Sequence, residues 1–113
     1  MTVSIARVYE PFAEQDGYRV LVDRLWPRGM THERAHLDDW LKAVAPSPEL
    51  RTWFGHRAVR FEEFATRYRA ELDGNPAVDV LRAAISAHAR VTLLYGAHDP
   101  KVNHAVVLRD YLG

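Results

Sequence analysis

Two short apolar runs interrupt an otherwise mixed pattern of hydrophobic and polar positions. The first is Val20-Leu21-Val22, inside the stretch Arg19–Gly29 (RVLVDRLWPRG), and the second is VTLLY at Val91–Tyr95. Uninterrupted aliphatic and β-branched runs are typical of strands buried on both faces of a sheet. A further strand is predicted at Ser4–Tyr9, and the turn-rich segment after it, Glu10–Gly17, is too short for a helical crossover. That strand is therefore expected either to pair antiparallel with the next one or to lie apart from it.

Between and after these runs, helical periodicity and terminal signals predict five helices. Caps or starts are predicted at Thr31, Ser47-Pro48, about Val59, Asn75-Pro76 and Asn103. Gly55 and Gly74 are expected to end the second and third helices in a left-handed conformation. The inward positions are Leu37, Trp40, Leu41 and Val44; Leu50, Trp53 and Phe54; Phe61, Phe64, Tyr68 and Leu72; Val78, Leu81, Ala84, Ile85 and His88; and Val107, Leu108 and Tyr111.

Two buried strands joined by a long helical excursion should pair in parallel through a right-handed crossover. The ends of the two runs, at Asp23 and Tyr95, would then share one rim with the start of the last helix. Ligands of open α/β sheets bind beyond the carboxyl ends of the strands. We therefore predict a single α/β domain over residues 1–113, with a small, mainly parallel sheet of about three strands flanked by several helices.

Two arginines make this rim a candidate anion site. The guanidinium groups of Arg24 and Arg28 match carboxylate and phosphate oxygens two bonds at a time. The N-terminus of the last helix adds free backbone N–H groups and the positive end of its dipole. The expected ligand is a small anion, such as a phosphate, a nucleotide or a carboxylate. The alternative is that Arg24 pairs with Asp23, Asp99 or a helix C-terminus and only shapes the loop.

Other polar residues at the rim suggest acid–base chemistry. His104, in the first turn of the last helix, is the candidate catalytic proton carrier, and Asp99 is the residue expected to orient it. The alternative for His104 is a capping and packing role. Asn103 completes the predicted binding set, and the residues expected to orient or cover the ligand are Asp23, Trp26, Tyr95 and Asp99. Trp26 could equally cover the core, and Tyr95 could be a core residue with an exposed hydroxyl.

Composition narrows the classes of function. Fifteen basic and fifteen acidic residues give a formal net charge of +0, whereas a general nucleic-acid binder usually carries a basic excess. The absence of cysteine removes disulfides and thiolate chemistry. No run approaches the length of a bilayer span and no leader pattern begins the chain, so a cytoplasmic location is expected. GxSxG, GxGxxG and P-loop motifs are absent, and the sequence indicates no particular cofactor.

One metal-binding motif is matched letter by letter. The segment from His32 to His36 reads HERAH and fits HExxH, but the inward face of its predicted helix is apolar, so we assign no metal ligand. A metal-binding alternative stays open through five histidines: His32, His36, His56, His98 and His104. A second alternative is a non-catalytic interaction module for a protein or a structured RNA. The substrate and the oligomeric state are not specified by the sequence.

Four blocks resemble a known family, the short YeaO-like branch of the domain of unknown function family 488. They are RVLVDRLWPRG (Arg19–Gly29), LDDWLKAVAPSPELRTWFGH (Leu37–His56), RFEEFATRYRAEL (Arg60–Leu72) and VTLLYGAHDPKVNHAVVLRDYL (Val91–Leu112). The resemblance implies a compact α/β protein with a short, mainly parallel sheet. It implies no settled biochemical role.

The resemblance also bears on individual site residues. Longer relatives carry a cysteine after the second buried strand, where this chain has Tyr95. They carry a Cys-His-Arg at the following helix, where this chain has Asn103-His104-Ala105. Only the histidine corresponds, so thiol chemistry does not transfer. Asp23, Arg24 and Arg28 do match the family pattern, which favours a binding rim at this edge.

Overall fold

A four-stranded sheet lies at the centre of the computed structural model, which describes residues 2–113. The order is β1-β4-β2-β3 and every strand pair is parallel. The strands are β1 (Thr2–Arg7), β2 (Tyr18–Leu21), β3 (Asp39–Trp40) and β4 (Arg90–Tyr95). The predicted α/β class with a small parallel sheet is confirmed, with four strands rather than about three.

The parallel pairing of the two apolar runs is confirmed. Val20 of β2 is in register with Leu93 of β4, and Leu21 with Leu94. β1 lies on the other side of β4, so of the two arrangements left open for the first strand, the one apart from β2 is correct. β1 is also shifted from the predicted Ser4–Tyr9, since it begins at Thr2 and ends at Arg7.

Five helices surround the sheet. They are α1 (His32–Ala35), α2 (Pro48–Phe54), α3 (Phe61–Asp73), α4 (Ala77–Ala87) and α5 (His104–Leu112), with short 3-10 turns at Glu14–Asp16, Lys42–Val44 and Ala58–Arg60. Two predicted caps are confirmed: the Ser47 hydroxyl accepts from Leu50 N at 3.2 Å, and Asn103 Oδ1 accepts from Val106 N at 3.1 Å. Each satisfies a backbone N–H that the first helical turn would otherwise leave free.

The helix predicted from Thr31 through Val44 is wrong. Thr31 does cap α1, but α1 ends after one turn because His36 adopts a left-handed conformation with φ 51°. The chain then extends along β2, where Asp38 N donates to Arg19 O and Leu41 N donates to Leu21 O, each at 2.9 Å. Pairing with the open edge of β2 therefore prevails over the 3.6-residue periodicity of the apolar positions.

Smaller corrections concern helix ends. Gly55 adopts the predicted left-handed conformation (φ 53°), but Gly74 does not (φ −105°). His88 was expected to face inward and is exposed instead, because it follows the last turn of α4 and stacks on Tyr18 at the surface. Trp53 is only half-buried. No helix within residues 2–113 is both long enough and apolar enough to cross a bilayer.

The core has a larger and a smaller part, one on each face of the sheet. Val20 and Leu93 belong to the larger cluster, which the helices α2 to α5 cover. Leu21 and Leu94 belong to the smaller cluster, which contains Ala35 of α1. This alternation is the two-residue period of strands with both faces buried. Because neither face of the sheet is free, the carboxyl edge of the strands is left to form a pocket.

Candidate functional site

A pocket of about 680 Å³ opens at the carboxyl edge of the sheet. The loop after β2 (Asp23–Arg28), the loop after β4 (Gly96–Asp99) and the start of α5 form much of its wall, and part of α2 closes the opposite side. Arg24 and His104 line this same pocket. The convergence that was predicted from parallel pairing is therefore present.

His104 is held by the end of β2. Its Nε2 lies 3.0 Å from Val22 O and 3.1 Å from Asp23 Oδ1. A carbonyl oxygen can only accept, so Nε2 carries the hydrogen and donates it to Val22 O. The carboxylate beside His104 is therefore that of Asp23. The expected partner, Asp99, instead accepts from Lys101 N at 2.8 Å and Val102 N at 3.2 Å, and it shapes the loop before α5.

The two oxygens of Asp23 have different surroundings. Oδ2 accepts from Gly96 N at 2.9 Å and so ties the loops after β2 and β4 together. Oδ1 is buried, and within residues 2–113 it is the one buried side-chain polar atom that has no hydrogen-bond partner. Its close polar neighbour is Nε2 of His104. A buried carboxylate oxygen without a donor is costly.

Arg24 is held by backbone carbonyls rather than by a carboxylate. Nε and Nη2 donate to Pro46 O at 3.3 and 3.2 Å, and Nη2 also reaches Ala45 O at 3.2 Å. Across residues 2–113 no acidic side chain lies within ion-pair distance of Arg24. The predicted pairing with Asp23 or Asp99 is therefore absent, whereas the third alternative, a helix C-terminus, is present, because Ala45 caps the end of the 3-10 turn Lys42–Val44. The guanidinium is fixed at the pocket wall with its charge unneutralised.

Arg28 is exposed at the rim. Its carbonyl accepts from the Tyr9 hydroxyl at 2.9 Å, which anchors the loop. Beneath the neighbouring loop, Arg7 Nε donates to Ala97 O at 2.8 Å. Arg7 at the end of β1 and Tyr9 just after it therefore support the loop after β4 and the loop after β2, respectively.

Three predicted ligand-binding residues have structural contacts of their own, and two of them, Trp26 and Asn103, also line the pocket. Asn103 is buried, and besides its cap bond its Nδ2 donates to Asp99 O at 2.8 Å. Tyr95 faces the larger core, is 2% exposed and does not line the pocket, and burial raises the pKa of its hydroxyl. Trp26 lines the pocket, but its ring stacks on His32 at 4.2 Å and its Nε1 donates to Met30 O at 2.8 Å.

Sequence reasoning missed the contribution of α2. Arg51 and Phe54 lie three residues apart on one side of α2 and both line the pocket, as does His56 just after the helix. Arg51 is exposed and has no carboxylate partner in the described part of the chain. The available signal was a basic and an aromatic residue on one helical turn, which does not distinguish a pocket from an ordinary surface.

The histidines do not assemble into a metal site. Within residues 2–113 no three His, Asp or Glu side chains are grouped as metal ligands would be. His32 stacks on Trp26, and His36 stacks on Phe12 at 4.0 Å. Since His36 is the left-handed cap of α1, the HExxH match does not occupy one continuous helix. The metal-binding alternative therefore lacks a ligand cluster.

Comparison with known proteins gives the family. The family model described as "Inactive DUF488-N3 subclade" matches residues 2–113. The chain belongs to the inactive DUF488-N3 subclade. "Uncharacterized protein YeaO" of Escherichia coli is 43% identical over 112 residues, covering 99% of this chain and 97% of the relative. "Uncharacterized protein Rv3073c" of Mycobacterium tuberculosis is 43% identical over 110 residues, covering 97% and 92%. No solved structure matches the chain.

The pocket of this DUF488-N3 member offers few nucleophiles. Tyr95 and Asn103 occupy the positions at which the family resemblance places cysteines in longer relatives, and here one packs in the core and the other caps α5. Among the described residues that line the pocket there is no Ser, Thr or Cys. The polar side chains that line the pocket are the pair Asp23–His104, the arginines Arg24, Arg28 and Arg51, and also His56, His98, Asp99 and Asn103.

Proposed function

We propose that this protein binds a small metabolite bearing a phosphate or carboxylate group, in the pocket at the carboxyl edge of the sheet, without transforming it. The observation that carries the proposal is Arg24, a guanidinium fixed at the pocket wall by the carbonyls of Ala45 and Pro46 and not paired with an acid. A cation held in place in this way needs no reorganisation to receive an anion.

The charges around the pocket support an anionic ligand. Three arginines line it: Arg24, Arg28 and Arg51. The two acids that also line it each accept backbone hydrogen bonds, Asp23 through Oδ2 from Gly96 N and Asp99 through Oδ1 from Lys101 N and Val102 N. Guanidinium groups favour phosphate and carboxylate because their planar N–H donors match pairs of oxygens.

The size and the walls of the pocket support a metabolite rather than an inorganic ion alone. A volume of about 680 Å³ lies within the range of small-molecule sites. Leu25 and Phe54 add apolar surface to the pocket wall beside the arginines Arg24 and Arg51. A ligand with a charged group at one end and an apolar or ring-shaped body would contact both parts.

Binding without chemistry is favoured by two observations. The matching family is described as inactive, and the described pocket walls carry no Ser, Thr or Cys. Covalent catalysis by a hydroxyl or thiol therefore has no nucleophile at this site. The Asp23–His104 pair then serves to position a ligand.

Arg51→Gln is the variant that tests the proposal. Arg51 is exposed and makes no ion pair in the described chain, so its replacement should leave the fold intact. Arg24→Ala is a poorer test of binding, because it would also leave the carbonyl oxygens of Ala45 and Pro46 without their donor. Wild-type protein would be screened by thermal shift against sulfate, phosphate, sugar phosphates, nucleotides and carboxylates. Calorimetry would then give the affinity of the best ligand.

We expect Arg51→Gln to weaken that ligand about tenfold, since a charge-assisted hydrogen bond contributes ~1.5 kcal/mol. Arg69→Gln is the matched control, because Arg69 is exposed on α3 and does not line the pocket. Equal affinity in the two variants would count against the site. If no small anion shifts Tm while a short RNA binds with steep salt dependence, the interaction-module alternative is favoured instead.

A further inference from the structure

The imidazole of His104 has one nitrogen bound inside the protein and one without a hydrogen-bond partner in the described chain. Nε2 donates to Val22 O, as described above. Nδ1 makes no hydrogen bond within residues 2–113, and it is also not among the buried polar atoms that lack a partner. It is therefore reachable by solvent. His104 lines the pocket, and Nδ1 is its ring nitrogen that has no partner inside the protein.

The protonation state of Nδ1 decides what this nitrogen can do. With Nε2 protonated, a neutral His104 offers only a lone pair at Nδ1, and a lone pair repels an anion. Adding a proton from the buffer to that lone pair converts it into a donor and makes the ring cationic. No other bond changes in this step. His104 can thus assist an anion only after it has taken up a proton.

The surrounding charges favour this uptake when an anion arrives. Asp23 at the end of β2 has a buried oxygen 3.1 Å from Nε2, which supplies a counter-charge. Tyr68 of α3, whose ring meets His104 edge-on, stays neutral because burial raises its pKa. The opposing positive groups are the three pocket arginines, Arg24, Arg28 and Arg51, and the positive end of α5; His56 and His98 line the same pocket. The Asp99 carboxylate, in the loop before α5, accepts from backbone N–H groups. A dianion in the pocket would offset these opposing charges.

We propose that binding of a dianion in this pocket is coupled to uptake of one proton at Nδ1 of His104, with Asp23 as the counter-charge that makes the uptake possible. The inference rests on the proposed function, since it assigns the regulation of that same site. It makes His104 a specificity-determining contact and Asp23 a positioning residue. Binding would consequently strengthen as pH falls through the neutral range.

Sulfate is the appropriate probe, because it stays a dianion across neutral pH and contributes no proton of its own. Calorimetry at about pH 7.5, where an ordinary imidazole is mostly neutral, would be run in buffers of different ionisation enthalpy. The slope of observed enthalpy against buffer enthalpy counts the protons taken up. We expect a value approaching one per sulfate for the wild-type protein.

His104→Gln should bind sulfate several-fold more weakly with a proton count near zero. Asp23→Asn should lower the count while retaining an oxygen for Gly96 N. His88→Gln, on the exposed end of α4 away from the pocket, should behave as the wild type. If His104→Gln does not fold, side-chain NMR of His104 in the wild-type protein supplies the same answer through protonation on sulfate addition.

The outcomes separate this inference from the proposed function. Sulfate binding with no proton uptake, or uptake that persists in His104→Gln, would overturn the coupling and leave the anion site standing. Failure of sulfate and of every phosphate or carboxylate ligand to bind between about pH 6 and pH 8 would overturn both.

Discussion

Arg19 is a charged residue in the interior, with 1% of its surface exposed. Its guanidinium donates to Ala35 O at 2.9 Å and to His36 O at 3.0 Å, and it forms an ion pair with Asp16. Phe12 lies over the guanidinium at 5.4 Å. The carbonyls at the end of α1 are therefore satisfied by a strand residue, which fixes where α1 stops.

Replacement of Arg19 tests this role. Arg19→Met keeps apolar bulk but leaves the Asp16 carboxylate and two carbonyls without their donor, so we expect the free energy of unfolding to fall by about 3–5 kcal/mol. Urea denaturation followed by circular dichroism measures it. Arg69→Ala, an exposed change on α3, should stay within about 0.5 kcal/mol of the wild type. A loss below ~1 kcal/mol for Arg19→Met would show that the buried ion pair contributes little.

The direction in which each side chain points decides which of the predicted site residues reach the pocket. Arg24 and His104 were correctly expected to converge, because parallel pairing alone brings strand ends together. Tyr95 was misplaced because the last residue of β4 continues the two-residue alternation into the larger core. Asp23, rather than Asp99, lies beside His104, and no sequence pattern distinguishes two acids in neighbouring loops.

At the scale of elements, α1 and β3 show where periodicity fails. Leu37, Trp40 and Leu41 fit a helical face in sequence, yet the chain there runs beside β2. The spacing of apolar residues cannot reveal that β2 has an open edge whose carbonyls need donors. Where the sequence itself marks a helix start, as the caps Ser47 and Asn103 do for α2 and α5, the prediction is confirmed.

Two glycines predicted from turn signals, Gly17 and Gly74, differ in whether the structure has room for a Cβ atom at their positions. Gly17, just before β2, has φ 69°, and a Cβ there would lie 2.3 Å from Arg90 O of β4. Gly74 ends α3 with φ −105°, and a Cβ there would meet nothing within 4 Å. The first glycine is required by both backbone conformation and close approach, whereas the second is required by neither.

We therefore expect opposite effects of alanine at these positions. Gly17→Ala should lower the free energy of unfolding by at least about 2 kcal/mol, because β2 and β4 must separate to admit the methyl group. Gly74→Ala should be neutral or stabilising by up to ~1 kcal/mol through reduced entropy of the unfolded chain. Thermal and urea unfolding of the pair would decide. Similar destabilisation by both would contradict the assigned conformations.

Over the whole molecule, one chain of contacts joins the helical layer to the pocket. Tyr68 on α3 is fully buried and its hydroxyl donates to Val44 O at 2.6 Å. The next two residues, Ala45 and Pro46, supply the carbonyls that hold Arg24. Sequence reasoning placed Tyr68 in the core but could not anticipate this contact, because it joins residues 24 positions apart through a segment that had been predicted as helix.

Tyr68 also makes the free energy of unfolding depend on pH in the alkaline range. Burial is the main cause that raises the pKa of Tyr68 above its ordinary value of 10.0, with Glu71 and Asp23 adding to it. A raised pKa means that the folded state keeps the proton while the unfolded state releases it. The stabilisation is therefore complete below about pH 10 and is lost as pH rises further, by ~1.4 kcal/mol per pH unit for one such group.

Tyr68→Phe isolates this contribution. Near neutral pH the variant should be less stable than the wild type by about 1–2 kcal/mol, because Val44 O loses its donor. Above about pH 10 the wild type loses stability, because its unfolded state releases the Tyr68 proton while its folded state keeps it. The variant has no such group at position 68, so the two curves of unfolding free energy against pH should converge and then cross. Urea titrations across the alkaline range measure both curves. Parallel curves would mean that Tyr68 ionises in the folded protein, and the buried contact that links α3 to Arg24 would then be wrong.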